Sequence, residues 1–368
     1  TALALCPNSE ELHIYELDAG SAWRKTHVLK EHDQLISGVS WSKQSNKIVT
    51  CSHDRNAFVW SFDEREKKWM PTLCVLNIDR GALDVQWSPD GNKFAVASAA
   101  KTVPVCYYDT SKHTKRADWY VSKLIKKQHK STVQALAWHP QIQALATVST
   151  DFKCRVLSAY LPEVDAAQDP GPFPDALPFG ELYAEYPTAG WANDVAWSPS
   201  GRLLAFASQD CAVGIAESES PASASAQVVR YQLRPLTCLA FLGETMLAGG
   251  GHDMNPLLFG SDGSGTWSFK QKLDDGKRSN DTAGSSVSNT QAARAMFQAK
   301  AKLGTDTGSS SGDKLATQHQ NTISCMRVMG GSGGVEASGA QLSTLGMDGR
   351  LVLWEVGTLA TGMQGLSI

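Results

Sequence analysis

An all-β, seven-bladed β-propeller is the fold class that three features of this 368-residue sequence predict. A short polar turn ending in aspartate recurs along the chain, a strand-closing residue follows each aspartate at a fixed distance, and a tryptophan-led turn runs in phase with both. Ser52-His53-Asp54 leads to Trp60, Ser149-Thr150-Asp151 to Leu157, Ser208-Gln209-Asp210 to Ala216, Gly251-His252-Asp253 to Phe259, and Gly346-Met347-Asp348 to Trp354, six residues past the aspartate each time. Ser98-Ala99-Ala100 is a copy that has lost its aspartate, and Asn8 holds the turn position of the first unit, which makes seven. Recurrence at this spacing marks an array of one small supersecondary unit.

The tryptophan landmarks are Trp41-Ser42, Trp87-Ser88-Pro89-Asp90-Gly91, Trp138-His139-Pro140 and Trp197-Ser198-Pro199-Ser200-Gly201, spaced 46, 51 and 59 residues apart. A four-stranded blade takes ~40–45 residues, so the spacing is one blade plus loops. Each tryptophan closes an alternating strand such as Val133-Gln134-Ala135-Leu136-Ala137-Trp138, and a second strand follows its turn at once. After the polar turn comes a third strand ending at the aromatic slot, then a more variable fourth. Asp54, Asp151, Asp210, Asp253 and Asp348 are read as structural turn residues, accepting hydrogen bonds from nearby amides. A serine hydroxyl and a histidine from the preceding loop (His32, His129 or His319) extend that network into the blade. The first unit begins at a second strand and the seventh stops after its third, 351–355, so the two strands that close the ring are expected upstream of Thr1.

Composition narrows the function. Hydrophobic residues make up 42%, and a net charge of -3 gives no global drive toward nucleic acid or a membrane surface. The eight cysteines lack C-x-x-C spacing and sit in apolar runs, which points to buried thiols in a reducing cytosol. No apolar run approaches the ~18 residues of a membrane span. There is no phosphate-binding loop, nucleophile elbow or metalloprotease motif. The first strands read mainly as Ala, Val, Leu and Trp, which argues against a catalytic site in a central channel; no cofactor and no metal are expected.

Two stretches interrupt the pattern. Segment 161–178 is rich in proline and alanine and reads as an extended surface loop of the fourth blade. The interval from Asp253 to Asp348 spans 95 positions, about fifty more than a blade needs, and the surplus lies at 274–317. Most of it is Gly, Ser, Thr, Asn and Asp, but 290–303 is dense in helix formers, with Ala293, Met296, Phe297 and Ala301 on one face and Arg294, Gln298 and Lys302 away from it. Such a helix on flexible tethers suits docking into a partner's groove; composition alone serves equally a helix folded back on the ring, or inert linker. A run of lysines from Lys112 to Lys130, including Lys126 and Lys127, could attract an acidic partner or be a solvated strand.

The chain also resembles WD-repeat proteins, and most closely the β-propeller subunits (subunit 1, p40/p41 type) of the actin-related protein 2/3 complex, which nucleates branched actin filaments. The resemblance rests on Asp54-Arg55-Asn56-Ala57-Phe58-Val59-Trp60, on Asp151-Phe152-Lys153-Cys154-Arg155 followed by Ser158-Ala159-Tyr160, on Leu177-Pro178-Phe179-Gly180-Glu181-Leu182, and on Thr344 through Trp354. It implies a single propeller domain over 1–368 acting as a non-catalytic scaffold beside the other subunits, in the cytoplasm at cortical actin patches or lamellipodia. It further implies that the insert helix, with Ala293, Arg294, Met296, Phe297 and Lys300, contacts actin of the mother filament. The acidic tails of nucleation-promoting factors are then expected on basic side chains, with Arg55, Lys126, Lys127, Lys153 and Arg155 as candidates; Arg55 and Arg155 serve equally well as internal ion-pair residues. A WD-repeat adaptor of another assembly, such as a coat or chromatin complex, is the alternative.

Overall fold

The computed structural model describes residues 2–18, 22–109, 120–166, 169–173, 175–218, 225–262, 264–274, 317–329, 340–356 and 365–367. Among them, 27 strands form seven antiparallel sheets, and no helix occurs. The first sheet holds β1 (Ala2–Leu5), β2 (Glu11–Leu17) and β3 (Trp23–Lys30). The second holds β4 (Ile36–Trp41), β5 (Ile48–Ser52), β6 (Asn56–Asp63) and β7 (Lys68–Val75), and the third β8 (Ala82–Trp87), β9 (Lys93–Ser98), β10 (Val103–Tyr108) and β11 (Tyr120–Ile125). The fourth comprises β12 (Val133–Trp138), β13 (Ala144–Ser149), β14 (Lys153–Ser158) and β15 (Leu182–Pro187), and the fifth β16 (Ala192–Trp197), β17 (Leu203–Ser208), β18 (Ala212–Glu217) and β19 (Gln227–Arg230). The sixth has β20 (Leu236–Phe241), β21 (Met246–Gly251), β22 (Leu257–Ser261) and β23 (Trp267–Lys272); the seventh has β24 (Ile323–Met329), β25 (Ala340–Gly346), β26 (Leu351–Val356) and β27 (Gly365–Ser367). These are the seven blades of a β-propeller.

The first strands β4, β8, β12, β16, β20 and β24 stand next to one another in turn around the centre. Each carries a β-bulge after its first residue, as between Ala82 and Asp84 or Ala192 and Asp194. A bulge bends and twists the strand locally, which suits the tight inner circumference of the ring. The apolar core lies between blades: one cluster joins Val49, Val59 and Cys74 of the second blade to Trp87, Phe94 and Cys106 of the third, and the next joins Val105 and Ile125 to Leu136, Trp138 and Leu157. Both faces of a middle strand are therefore buried, and the second strands are almost continuously apolar.

In each of six blades, the residue after the turn aspartate or its equivalent has a left-handed backbone: Arg55, Lys101, Phe152, Cys211, Met254 and Gly349. The aspartate makes that conformation tenable by accepting from the amide beyond it, as Asp54 Oδ1 does from Asn56 N at 2.9 Å and Asp348 Oδ1 from Arg350 N at 3.1 Å. The Trp-His-Pro landmark is equally structural. Buried His139 accepts from Gln141 N and Ile142 N at Nδ1, each at 3.2 Å, and donates from Nε2 to Gly201 O at 3.2 Å. Burial pushes its pKa down to about 4, so the ring stays neutral. Gly201 has φ +79°, and a Cβ there would lie 2.3 Å from His139 Nε2, so only glycine fits.

Two sequence expectations need correction. The seventh blade does not stop at its third strand, because Gly365–Ser367 pairs antiparallel with 352–354 as a fourth. Nor is 161–178 simply a surface loop. Leu161 and Phe173 are buried, Phe173 stacks on Tyr183 at 4.4 Å between centroids, and the Asp165 carboxylate is fully enclosed against the equally buried ammonium of Lys93. Proline-rich composition reports the absence of strands, not the absence of packing.

Candidate partner-binding face

The loop entering each blade and the turn between its second and third strands share one face of the ring, because the loop histidine reaches the turn aspartate. In the second blade His32 Nδ1 lies 2.7 Å from Asp54 Oδ2 and its Nε2 lies 2.9 Å from Thr50 Oγ1, which also accepts from Trp60 Nε1 at 3.0 Å. The seventh blade repeats this with His319 3.3 Å from Asp348, 2.8 Å from Thr344, and Trp354 Nε1 donating to Thr344 Oγ1 at 2.8 Å. The relay hydroxyl is thus a threonine of the second strand. The turn serine has a local task, with Ser52 Oγ donating to Gln34 O and accepting from Asp54 N. Buried threonines inside apolar strands look like ordinary β-branched strand residues, and sequence reasoning missed them.

The fourth blade departs from the pattern. Leu157 occupies the tryptophan slot and has no N–H to offer, and Arg155 takes over. Its Nη1 donates to His129 Nδ1 and to Asp151 Oδ2, each at 2.8 Å, while Nε donates to Glu185 Oε2 at 2.8 Å. With Nδ1 accepting, the imidazole proton sits on Nε2 and goes to Thr147 Oγ1 at 2.8 Å. Burial, with the Arg155 charge behind it, holds the His129 pKa below its ordinary value. Although burial opposes ionisation of Asp151, the hydrogen bonds from the Lys130 amide and Arg155 hold its carboxyl well below the usual carboxylate range. Asp210 and Asp253 serve their turns differently: Asp210 accepts from Ser208 Oγ and pairs with Arg230 at 3.1 Å, and Asp253 accepts from Arg234 N at 3.0 Å.

The candidate contact residues fall into two groups. Arg55, Lys126 and Lys127 are exposed on this face, Arg55 and Lys127 with left-handed backbones that lift them out of their turns. For Arg155 the structure shows the second of its two expected roles, the internal ion pair: its side chain is 5% exposed and its guanidinium is committed to Asp151, Glu185 and His129. Lys153 is half-buried and paired with Glu185. The same face carries exposed apolar side chains that sequence reasoning did not single out, Phe152 (46% exposed) and Trp191 (53%). Thr188 N donates to Phe152 O at 2.9 Å, which sets the loop of Trp191 beside the turn of Phe152.

Ala293, Arg294, Met296, Phe297 and Lys300 lie outside the described residues, as does the whole of 275–316. Both roots of that insert are described. Gln318 N donates to Asp274 Oδ2 at 2.5 Å, and Asp274 is fixed to Asn255 through Asp274 N to Asn255 Oδ1 at 3.0 Å and Asn255 Nδ2 to Asp274 O at 2.8 Å. The insert therefore leaves and rejoins the ring beside His319, on the face that carries Arg55, Lys126, Lys127, Phe152 and Trp191.

Among the described residues, no three His, Cys, Asp or Glu side chains converge as a metal site would require. Polar groups do occur on the first strands, against expectation: Asp84, Asp194 and Arg327.

The WD domain, G-beta repeat model matches residues 23–61 and 180–215. The chain is 40% identical to actin-related protein 2/3 complex subunit 1B of Arabidopsis thaliana, over 96% of this chain and 91% of that protein. It is 38% identical to subunit 1A-B of Xenopus laevis over 100% of this chain and 94% of that protein, and 34% identical to subunit 1 of Schizosaccharomyces pombe over 94% and 91%. A seven-bladed ring and identity at this level over nearly its whole length make the chain a member of the actin-related protein 2/3 complex subunit 1 family.

Proposed function

We propose that this chain is a non-catalytic scaffold subunit of an actin-related protein 2/3 complex, working in the cytoplasm at the actin cytoskeleton to support nucleation of branched filaments. The ring holds the companion subunits. The insert helix touches actin of the mother filament through Phe297 and Met296, flanked by Arg294 and Lys300, and the basic loops with Arg55, Lys126 and Lys127 receive acidic tails of nucleation-promoting factors. The observation that carries this reading is the rooting of the insert: Asp274 and Gln318 close its base on the face where exposed cations and aromatics gather. Cations next to large exposed rings are the composition of a docking surface for acidic segments.

Changing Phe297 to Asp, or replacing 275–316 by a short Gly-Ser linker, is expected to leave assembly with the companion subunits intact and to lower branch formation on existing filaments several-fold. Branch counts in reconstituted actin assembly measure this. An unchanged branching rate with an intact complex would sink the helix-docking reading.

A further inference from the structure

The third blade carries none of the polar relay that ties the second together. Where His32, Thr50, Asp54 and Trp60 stand in the second blade, the matching positions of the third hold Ile78, Val96, Ala100 and Cys106. Val96 and Cys106 are fully buried in the core between these two blades, and Ile78 packs against them. The turn keeps its shape without the carboxylate: Ala100 N donates to Ser98 Oγ at 3.3 Å as Asp54 N does to Ser52 Oγ at 3.2 Å, and Ala99 N donates to Gly81 O at 3.0 Å as His53 N does to Leu35 O at 3.2 Å. Exchanging every partner of a buried relay for apolar groups is tolerated, because no donor or acceptor is stranded. The third blade therefore needs no negative charge in its turn, and the side chains around that turn are cationic. Lys101, with a left-handed backbone, and Arg80, in the entry loop, are both exposed. A Cβ on Gly81 would lie 3.1 Å from His53 Cα, so Arg80 enters beside the turn that carries Arg55. On the other side, pairing of Val103 with Ile125 brings the turn of Lys101 next to the loop of Lys126 and Lys127, and Lys130 follows.

We propose that Arg80 and Lys101 are the centre of a cationic arc, running from Arg55 to Lys130, that binds an extended acidic segment across the second, third and fourth blades. The absence of an aspartate at position 100 is what leaves that arc unbroken. This rests on the reading above that acidic segments dock on this face, and it adds the blade and the two residues on which binding centres. All six cations of the arc are exposed, and none is held in an ion pair among the described residues. The turn carboxylates on either side do little to offset them: Asp54 is 7% exposed and turned to His32, and Asp151 is 6% exposed and turned to Arg155. Asp79, beside Arg80, is the exposed acid within the arc. Clustered charges of one sign raise the local potential together and attract a segment of the opposite sign, and a carboxylate set in their middle would repel it.

Fluorescence anisotropy of a dye-labelled peptide of alternating aspartate and glutamate, titrated with the full chain at low salt, tests the arc. Arg80→Ala and Lys101→Ala are each expected to weaken binding about two- to fivefold, the span of a single exposed ion pair. Ala100→Asp should weaken it to a similar degree. Ala100→Asn has the same shape without the charge and should bind as the native chain does, which separates repulsion from any disturbance of the turn. Lys43→Ala, in the turn after Trp41 on the opposite face, should also change nothing. Raising the salt should erase the differences between variants. If Arg55→Ala or Lys127→Ala weakens binding while Arg80→Ala, Lys101→Ala and Ala100→Asp do not, the third blade is not the centre; this inference then falls and acidic docking stands. A native chain that does not bind the peptide at all would overturn acidic docking on this face, and the arc with it.

Discussion

Replacing Arg155 with alanine is expected to destabilise the folded chain by about 3–5 kcal/mol at pH 8, far more than a change at an exposed arginine such as Arg55. The guanidinium is 5% exposed and gives three hydrogen bonds, to Asp151, Glu185 and His129. Its loss leaves the Asp151 carboxylate, only 6% exposed, with an amide and a neutral imidazole for support. The cost depends on pH in a direction that can be worked out. In the native chain burial and Arg155 hold the His129 pKa down; without Arg155, nearby Asp151 draws a proton onto the ring. The variant's imidazolium then replaces part of the missing charge once pH falls below the new His129 pKa, so the deficit is largest at pH 8 and shrinks toward pH 6. Denaturant unfolding at both pH values measures it. A loss under about 0.5 kcal/mol, the usual size for a surface change, would mean that Arg155 does not hold the fourth blade together.

The second large effect is expected at the pair formed by Lys93 and Asp165. Both side chains are almost fully enclosed, 1% and 0% exposed, and Asp165 Oδ2 also accepts from Leu161 N, while Lys93 Nζ donates to Ala159 O at 2.9 Å. Burial depresses the Lys93 pKa, and Asp165 restores part of the drop. Lys93→Met strands a buried carboxylate and should cost about 3–5 kcal/mol. Adding Asp165→Asn removes that charge while keeping an acceptor for the Leu161 amide, and should recover more than half of the loss. A double-mutant cycle with a coupling of at least about 2 kcal/mol is therefore expected, and additive losses would show that the pair does not anchor the loop.

The turn aspartates and the loop histidines were legible because the chain repeats them at fixed spacing, and the ring follows from counting them. What escaped was set by neighbours distant in sequence. In Lys153-Cys154-Arg155, next to a turn, sequence leaves Arg155 open as a surface contact or an internal ion pair; it is buried because Leu157 leaves an indole slot unfilled and Glu185 arrives from β15 to share the charge. Asp84 and Asp194 look like the polar half of an alternating strand, and only the closing of inner strands around a channel turns them inward toward the amides of the next blade. Leu161, Asp165 and Phe173 sit in a composition that promises solvent, yet all three are buried, Leu161 in the core between the third and fourth blades, Asp165 against Lys93, and Phe173 in the core between the fourth and fifth. The basic face was half legible. Exposed Lys126 and Lys127 were recognised from charge, whereas Phe152 and Trp191 come together only when the turn of one blade meets the entry loop of the next. The insert was located by the failure of the repeat between Asp253 and Asp348, and its helix lies outside the described residues.

Gentle affinity purification of the full-length native protein, with quantitative mass spectrometry of what comes with it, tests most directly whether the ring is a platform within an actin-nucleating assembly. The expected result is a set of companions in fixed stoichiometry that includes actin-related proteins. Recovery of coat or chromatin components with no actin-related protein would contradict it.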